Sequence, residues 1–203
     1  DNVAVGTAAG GAITTGANNT IMGYNAGTTL TTGGANVFIG YDAGKDQTTA
    51  GASTFVGDHA GANVTTAANN TFVGYYSGLN VTTGASNTLV GNNAGDAITT
   101  AAGNVAVGHN ALTGNIEVAD NTAVGYNSLP VNTVAGNTAF GANALNVNTT
   151  GAGNTAVGRN SLVANTTGGT NTAVGSFAGT AVTTGANNAF LGSTAGDAVT
   201  TGT

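Results

Sequence analysis

The chain has 203 residues and a formal net charge of −6. Only 5% of its residues are charged, 40% are hydrophobic, and cysteine is absent. Disordered chains usually combine low hydrophobicity with high net charge, so this composition argues against disorder. Two basic residues, Lys45 and Arg159, are too few to neutralise a nucleic acid backbone. Disulfides and thiolate metal sites are excluded, and no apolar run is long enough to span a membrane.

The chain starts at Asp1, directly at the head of a repeat, and shows no signal peptide. Repeats fill the whole chain, so we interpret residues 1–203 as a single repeat domain. We also expect this domain to be a segment of a longer protein, whose export and anchoring parts lie outside it.

A short word that ends in glycine recurs along the whole chain. The spacing between the closing glycines is 17 residues, except for one spacing of 16 between Gly125 and Gly141. A fixed period that fills the chain predicts a solenoid, here of twelve repeats. Pro130 lies in the short repeat, and because proline cannot donate to a ladder we expect a local adjustment of the turn there.

We number the repeat from its opening residue, which is Asn in eleven repeats and Ser53 in the other. Positions 1–4 predict a strand, the glycine at position 5 breaks it, and words such as ITT and VTT predict a second strand before a return turn. The result is an all-β parallel solenoid with coils ~4.8 Å apart and a length of roughly 55–60 Å. Asn at position 1 is expected to form a ladder. The glycine at position 5 is expected at a corner with positive φ or close backbone contact; these glycines are Gly6, Gly23, Gly40, Gly57, Gly74, Gly91, Gly108, Gly125, Gly141, Gly158, Gly175 and Gly192.

Positions 3 and 4 are neighbours on one strand, so their side chains point to opposite faces. Position 4 is bulky and apolar in all twelve repeats, and we predict that it fills the coil interior as the structural core. Its residues are Val5, Met22, Ile39, Val56, Val73, Val90, Val107, Val124, Phe140, Val157, Val174 and Leu191.

Position 3 should then point outward, yet it is apolar in every repeat. Each repeat with leucine at position 9 has alanine at position 3, and each repeat with a bulky position 3 has glycine at position 9. This compensation of volume predicts one close-packed space between different chains. Duplication of two repeat subtypes would give the same correlation without contact. The predicted inter-chain residues are Ile21, Phe38, Phe55, Phe72, Leu89, Leu112, Leu129, Leu145, Leu162 and Phe190.

We predict no catalytic, cofactor or metal site in the sequence. His59 and His109 lie three repeats apart at different positions and are interpreted as separate surface histidines. Asp58 precedes His59, but this pair lacks a third metal ligand.

The remaining polar features are interpreted as surface. Asp42 and Asp46 flank Lys45 and are taken as a solvated charge cluster rather than an acid–base pair. Tyrosines are the expected contact aromatics for any partner; they are Tyr24, Tyr41, Tyr75, Tyr76 and Tyr126.

The repeat words resemble those of a known group of proteins. NVAVG (2–6, 104–108), NVFIG (36–40) and NTAVG (121–125, 154–158, 171–175) resemble the SVAIG word of trimeric autotransporter adhesin heads, the YadA-like group. The stretch NTAVGYNSLPVNTVAGNTAFGANALNVNTTG (121–151) is similar to repeats of phage-type tail-fibre proteins. The resemblance implies a left-handed parallel β-roll with three chains side by side around a common axis.

The expected function is a non-enzymatic structural or adhesive module, the shaft or head of a trimeric extracellular fibre on a cell or virion surface. Its expected partners are two further copies of itself and a host surface receptor or glycan. Two alternatives stay open. One is a self-assembling filament or sheath subunit that polymerises end to end. The other is an ice-binding solenoid, which adjacent threonines disfavour because they send their hydroxyls to opposite faces.

Overall fold

The computed structural model describes residues 1–202, which form an all-β parallel solenoid without a helix. Twelve three-residue strands join in one sheet in the order of the sequence. They are β1 (Val3–Val5), β2 (Thr20–Met22), β3 (Val37–Ile39), β4 (Thr54–Val56), β5 (Thr71–Val73), β6 (Thr88–Val90), β7 (Val105–Val107), β8 (Thr122–Val124), β9 (Thr138–Phe140), β10 (Thr155–Val157), β11 (Thr172–Val174) and β12 (Ala189–Leu191).

The strand register follows the sequence period. Thr20 pairs with Val37 across 17 residues, and Thr122 pairs with Thr138 across the 16 residues of the short repeat. The predicted parallel β-solenoid is therefore confirmed. We refer to its repeats as coils 1 to 12, with coil 1 starting at Asn2 and coil 12 at Asn188.

The predicted second strand is wrong for the described residues. Position 13 makes one ladder bond to the next coil, such as the Thr14 amide to the Thr31 carbonyl at 2.9 Å. The chain bends at Thr14 and Thr15. The next two amides donate to the same Thr31 carbonyl, at 3.3 and 3.2 Å. Amides that converge on one carbonyl do not extend a strand ladder.

The position 1 side chains form a buried ladder. The Oδ1 atom of Asn87 accepts a bond from the Asn104 amide at 2.9 Å, and its Nδ2 atom donates to the Ala101 carbonyl of its own coil at 2.9 Å. Ser53 keeps the ladder with its Oγ atom, which is 3.4 Å from the amide nitrogen of Asn70. Because buried amide and carbonyl groups need partners, this ladder ties each coil both to itself and to the next.

The position 5 glycine turns the chain out of the strand. Gly40 has a φ of 143°, and a Cβ atom placed on it would collide with the carbonyl oxygen of Gly57 in the next coil. Any side chain would be strained by the backbone conformation and would block coil stacking. The glycine corner has both of the properties that were expected of it.

The core lies on the opposite face of the strand from the one predicted. Phe38, Phe55 and Phe72 at position 3 are fully buried, whereas Val5 and Phe140 at position 4 are 53% and 55% exposed. The assignment of position 4 to the core is therefore wrong for Val5, Met22, Ile39, Val56, Val73, Val90, Val107, Val124, Phe140, Val157, Val174 and Leu191, which are all exposed or half-buried.

The predicted inter-chain residues instead fill the interior of this chain. Nine of them are fully buried, and Phe190 packs against the same cluster: Ile21, Phe38, Phe55, Phe72, Leu89, Leu112, Leu129, Leu145, Leu162 and Phe190. Positions 3 and 9 do share one space, since a Cβ on Gly78 would lie 2.6 Å from the Phe72 ring. The compensation of volume acts inside one chain, within a coil and between neighbouring coils, since a Cβ on Gly27 would also meet the Phe38 ring of the next coil at 2.8 Å.

Position 12 also contributes to this interior. Where position 9 is leucine, position 12 is a buried asparagine. Asn165, for example, donates to the Asn148 side chain at 2.8 Å and to the Gly168 carbonyl at 2.9 Å. The side chains of Asn132, Asn148 and Asn165 form a second polar stack that the repeat words do not predict, whereas Asn115 donates to Asn104 of the first ladder at 3.3 Å.

The short coil loses its residue at a corner and not in the strand. The strand register and the Asn121–Asn137 ladder bond at 3.0 Å continue through it. The shortening falls between Thr133 and Gly136, and a Cβ on Gly136 would meet no atom within 4 Å. Pro130 lacks an N–H donor, but its carbonyl still accepts from the Gly114 amide at 2.6 Å, so its bond to the preceding coil is kept.

We expect the Phe72→Ala and Gly78→Leu substitutions to compensate for each other. Phe72→Ala should lower the free energy of unfolding by ~3–5 kcal/mol by opening a cavity. Gly78→Leu alone should also destabilise, because the new side chain collides with the Phe72 ring. In the double variant, urea unfolding should show a loss smaller than the sum by about 2 kcal/mol.

A control pair combines Phe72→Ala with Gly44→Leu, where Gly44 contacts Phe38 instead. These two effects should add to within ~0.5 kcal/mol. Equal coupling in both pairs would contradict a shared space within one coil.

We expect Asn87→Ala to lower the free energy of unfolding by ~2–4 kcal/mol, since it removes the partners of a buried amide and a buried carbonyl. Asn87→Ser should cost less because Ser53 serves the same ladder position. Urea midpoints of the two variants measure the difference, and equal losses would mean that the ladder bond itself contributes nothing.

Candidate functional site

The outer face of the sheet is a long uncharged surface. Its position 4 row is apolar in all twelve coils, and the position 2 residues on the same face are Thr, Val or Ala. Met22 is 45% exposed and Leu191 is 83% exposed at two points of this row. We call the position 4 residues the apolar row.

A second surface carries stacked aromatic rings at positions 6 and 7. The rings of Tyr24 and Tyr41 lie 5.3 Å apart and nearly parallel. His59 continues the row at 5.2 Å from Tyr41, and Tyr76 meets the edge of His59 at 5.2 Å. Tyr75 stacks on Tyr76 at 4.0 Å. Five rings thus form an unbroken row across four coils.

Two carboxylates join this row through His59. The Nδ1 atom of His59 is 2.5 Å from Asp58 Oδ1, and its Nε2 atom is 3.7 Å from Asp42 Oδ2. Asp42 is only 8% exposed, and its Oδ1 atom is buried without a hydrogen-bond partner. The prediction that Asp42 is a solvated charge is wrong, because the neighbouring coils cover it. His59 is likewise no isolated surface histidine.

We define the aromatic–acidic cluster as Tyr24, Tyr41, Asp42, Asp58, His59, Tyr75 and Tyr76. Its charges shift the pKa of the tyrosines. The Asp42 carboxylate next to Tyr41 raises the pKa of that phenol, because a negative neighbour disfavours tyrosinate. The neighbouring Tyr76 phenol raises the pKa of Tyr75.

Position 7 holds its residue in the left-handed region in every coil, and Asn is the commonest residue there. In the cluster this position is Asp42 (φ 52°), His59 (φ 56°) and Tyr76 (φ 56°). Left-handed backbone costs roughly 1–2 kcal/mol for ordinary residues and less for Asn or Asp. This conformation therefore costs more free energy for His59 and Tyr76 than it would for Asn.

A smaller aromatic pair occupies the same positions further along. His109 stacks on Tyr126 at 5.6 Å, and neither stands beside an acidic partner of the kind that Asp42 and Asp58 provide. His109 agrees with its interpretation as a separate surface residue. The pair offers a matched control for the cluster.

The threonines of positions 13 and 14 do not form a regular flat array of free hydroxyls. Ten position 13 threonines donate their hydroxyls to the next coil at 2.9–3.3 Å. The exposed position 14 row is interrupted at Glu117 and Val134. At this interruption Gly114, Ile116, Glu117, Val118 and Thr133 line an apolar notch of about 350 Å³.

Comparisons with known proteins leave the chain without a family assignment. No protein-family model, no curated protein and no solved structure matches it. Within residues 1–202, His, Asp and Glu form no group of three that could hold a metal ion. The same range includes no helix of the length and hydropathy needed to cross a membrane.

We expect Asp42→Asn to lower the pKa of Tyr41 toward its ordinary value of about 10, because the substitution removes the negative charge that disfavours tyrosinate. Asn is the usual residue at this position, so the backbone should not change. An NMR pH titration with ring-labelled tyrosine measures the shift. Asp197→Asn in the last coil should leave it unchanged; an unaltered Tyr41 in Asp42→Asn would rule out the charge contact.

Proposed function

We propose that the chain is a non-enzymatic structural module of an extracellular fibre, in which three copies lie side by side and carry an attachment function on a cell or virion surface. The observation that carries the proposal is the apolar row. It runs through all twelve coils on the outside of the sheet without one charged residue.

The size of the apolar row supports its burial against another molecule. Twelve strands ~4.8 Å apart make a strip roughly 53 Å long, and the apolar row together with the Thr, Val and Ala residues of position 2 covers on the order of 500 Å². A mainly apolar strip of this size is near the upper limit that soluble monomers leave exposed. Burying it on two partners removes on the order of 1,000 Å², the lower range of a specific interface.

The regularity of the row favours a second copy of the chain as the partner. A surface with the same side chain every ~4.8 Å is matched along its whole length by a surface with the same pitch. Another copy has this pitch by construction, and the absence of charge removes any repulsion between identical rows.

The number three and the fibre come from the resemblance of the repeat words to adhesin heads and tail-fibre repeats. Closed cyclic symmetry would bring the apolar rows of three copies to a common axis. The arrangement of threonines supports this function over ice binding. The position 13 hydroxyls donate to carbonyls within the solenoid, and the exposed row is interrupted at Glu117.

The mass in solution tests the proposal. Light scattering coupled to size exclusion should give three times 19.2 kDa, about 57.6 kDa. Val107→Glu, in the middle of the apolar row, should reduce the mass to that of one chain, because three carboxylates would be buried together. Thr100→Glu, at an exposed position 14, is the matched control and should leave the mass unchanged.

A wild-type chain that stays monomeric would overturn side-by-side assembly. Particles that lengthen with concentration, and that Val107→Glu does not affect, would instead support an end-to-end filament. Circular dichroism of both variants checks that the solenoid is intact.

A further inference from the structure

The aromatic–acidic cluster holds most of the tyrosines of the chain. Coils 2–5 (residues 19–86) contain four of the five tyrosines, whereas acids and histidines are spread along the whole chain. The other coils have mainly Asn, Thr, Ser or Ala at the same two positions. The solenoid therefore does not need these side chains at positions 6 and 7 in order to fold.

Asp42 supplies the independent observation. The residue is largely buried, its side chain is 11% exposed, and its Oδ1 atom has no hydrogen-bond partner. Its other oxygen faces the His59 ring at 3.7 Å, so the carboxylate lies inside the cluster. A buried carboxylate oxygen without a donor is unfavourable, and a ligand hydroxyl would satisfy it once a neighbouring ring rotates aside to open a path to the enclosed Oδ1 atom.

The chemistry of the cluster selects a polyhydroxylated ligand with apolar faces. Tyr24, Tyr41 and Tyr75 are about half exposed and offer apolar ring surface beside phenol hydroxyls. Asp42 and Asp58 are acceptors for hydroxyl donors. The ring row spans three coil spacings, roughly 15 Å, which is long enough for an oligosaccharide.

The negative charge of the cluster narrows the class of ligand further. Asp42, Asp46 and Asp58 outnumber Lys45, the only basic residue nearby, so the cluster repels sulfated or carboxylated sugars. We propose that the aromatic–acidic cluster binds a neutral oligosaccharide, whose hydroxyls donate to Asp42 and Asp58 while its apolar faces contact Tyr24 and Tyr41. This deepens the proposed attachment function by naming its site and ligand class.

Tyrosine fluorescence provides a direct measurement on the wild-type chain. The chain has no tryptophan and most of its tyrosines lie in the cluster, so the emission reports mainly on this site. The neutral probes are maltohexaose, cellohexaose, chitohexaose and lacto-N-neotetraose. The anionic probes are sialyllactose and a heparin hexasaccharide, and spermine tests a cationic ligand. Calorimetry confirms each binding signal.

We expect at least one neutral probe to bind and the anionic probes not to bind. Asp42→Asn and Tyr41→Ala should each weaken that binding by ~10-fold or more, whereas Tyr126→Ala in the matched aromatic pair should not. Asp42→Asn introduces the common residue of this position, so its loss of binding cannot be attributed to unfolding.

Three results would overturn the proposal: no neutral probe binds, a neutral probe binds equally to wild type and both cluster variants, or only an anionic probe or spermine binds. The test is independent of assembly. Repeating it with Val107→Glu separates the two proposals, because that substitution disrupts the apolar row and leaves the cluster unchanged.

Discussion

Backbone hydrogen bonds between successive coils place each residue directly against the residue one period away. Gly23, for instance, donates to Val5, and Thr20 donates to Asn36. Any side chain therefore stacks on its own equivalent at a spacing close to 4.8 Å. Flat groups suit this spacing, which is why amides stack in the interior and aromatic rings stack inside and outside. The phenyl rings of Phe38 and Phe55 lie 5.0 Å apart, almost as the outer rings of Tyr24 and Tyr41 do.

This constraint explains what could be predicted from the sequence. The period, the parallel order of strands, the Asn87-type ladder and the glycine corner at Gly40 depend on local backbone needs that recur in every coil. Each leaves a fixed letter at a fixed position. A fixed letter with one physical explanation is enough for a correct prediction.

The inside and outside of the strand could not be distinguished by the same means. Alternation shows that Phe72 and Val73 face opposite ways, but both rows are apolar and uncharged. A row that is bulky and apolar in every coil predicts the core. The interior instead divides its volume among positions 3, 9 and 12, which are Phe72, Gly78 and Val81 in coil 5. The residues at these three positions therefore change together from coil to coil, while the outer position 4 stays bulky and apolar. Constancy of a position is thus no measure of burial where several positions share one space.

The candidate site illustrates the same lesson for polar residues. Asp42 was interpreted through its chain neighbours Lys45 and Asp46, and His59 through Asp58. Asp42 and His59 occupy position 7 of adjacent coils, and the 17-residue offset alone brings them together. The crossing of the ring row from Tyr41 at position 6 to His59 at position 7 depends on side-chain orientation, which no periodic pattern specifies.

The short coil shows that a coil can have fewer residues and still keep the register of the solenoid. One residue is missing between Thr133 and Gly136, yet Val124 still pairs with Phe140 and the asparagine ladder continues. The number of residues at this corner can therefore change without shifting the residues that follow around the coil, whereas a change within the strand would shift the register. A solenoid of this kind can gain or lose residues at that corner and keep all its longitudinal rows in line. Variation in coil length there changes the local outline of the rod and leaves its axis, its outer rows and its interior continuous.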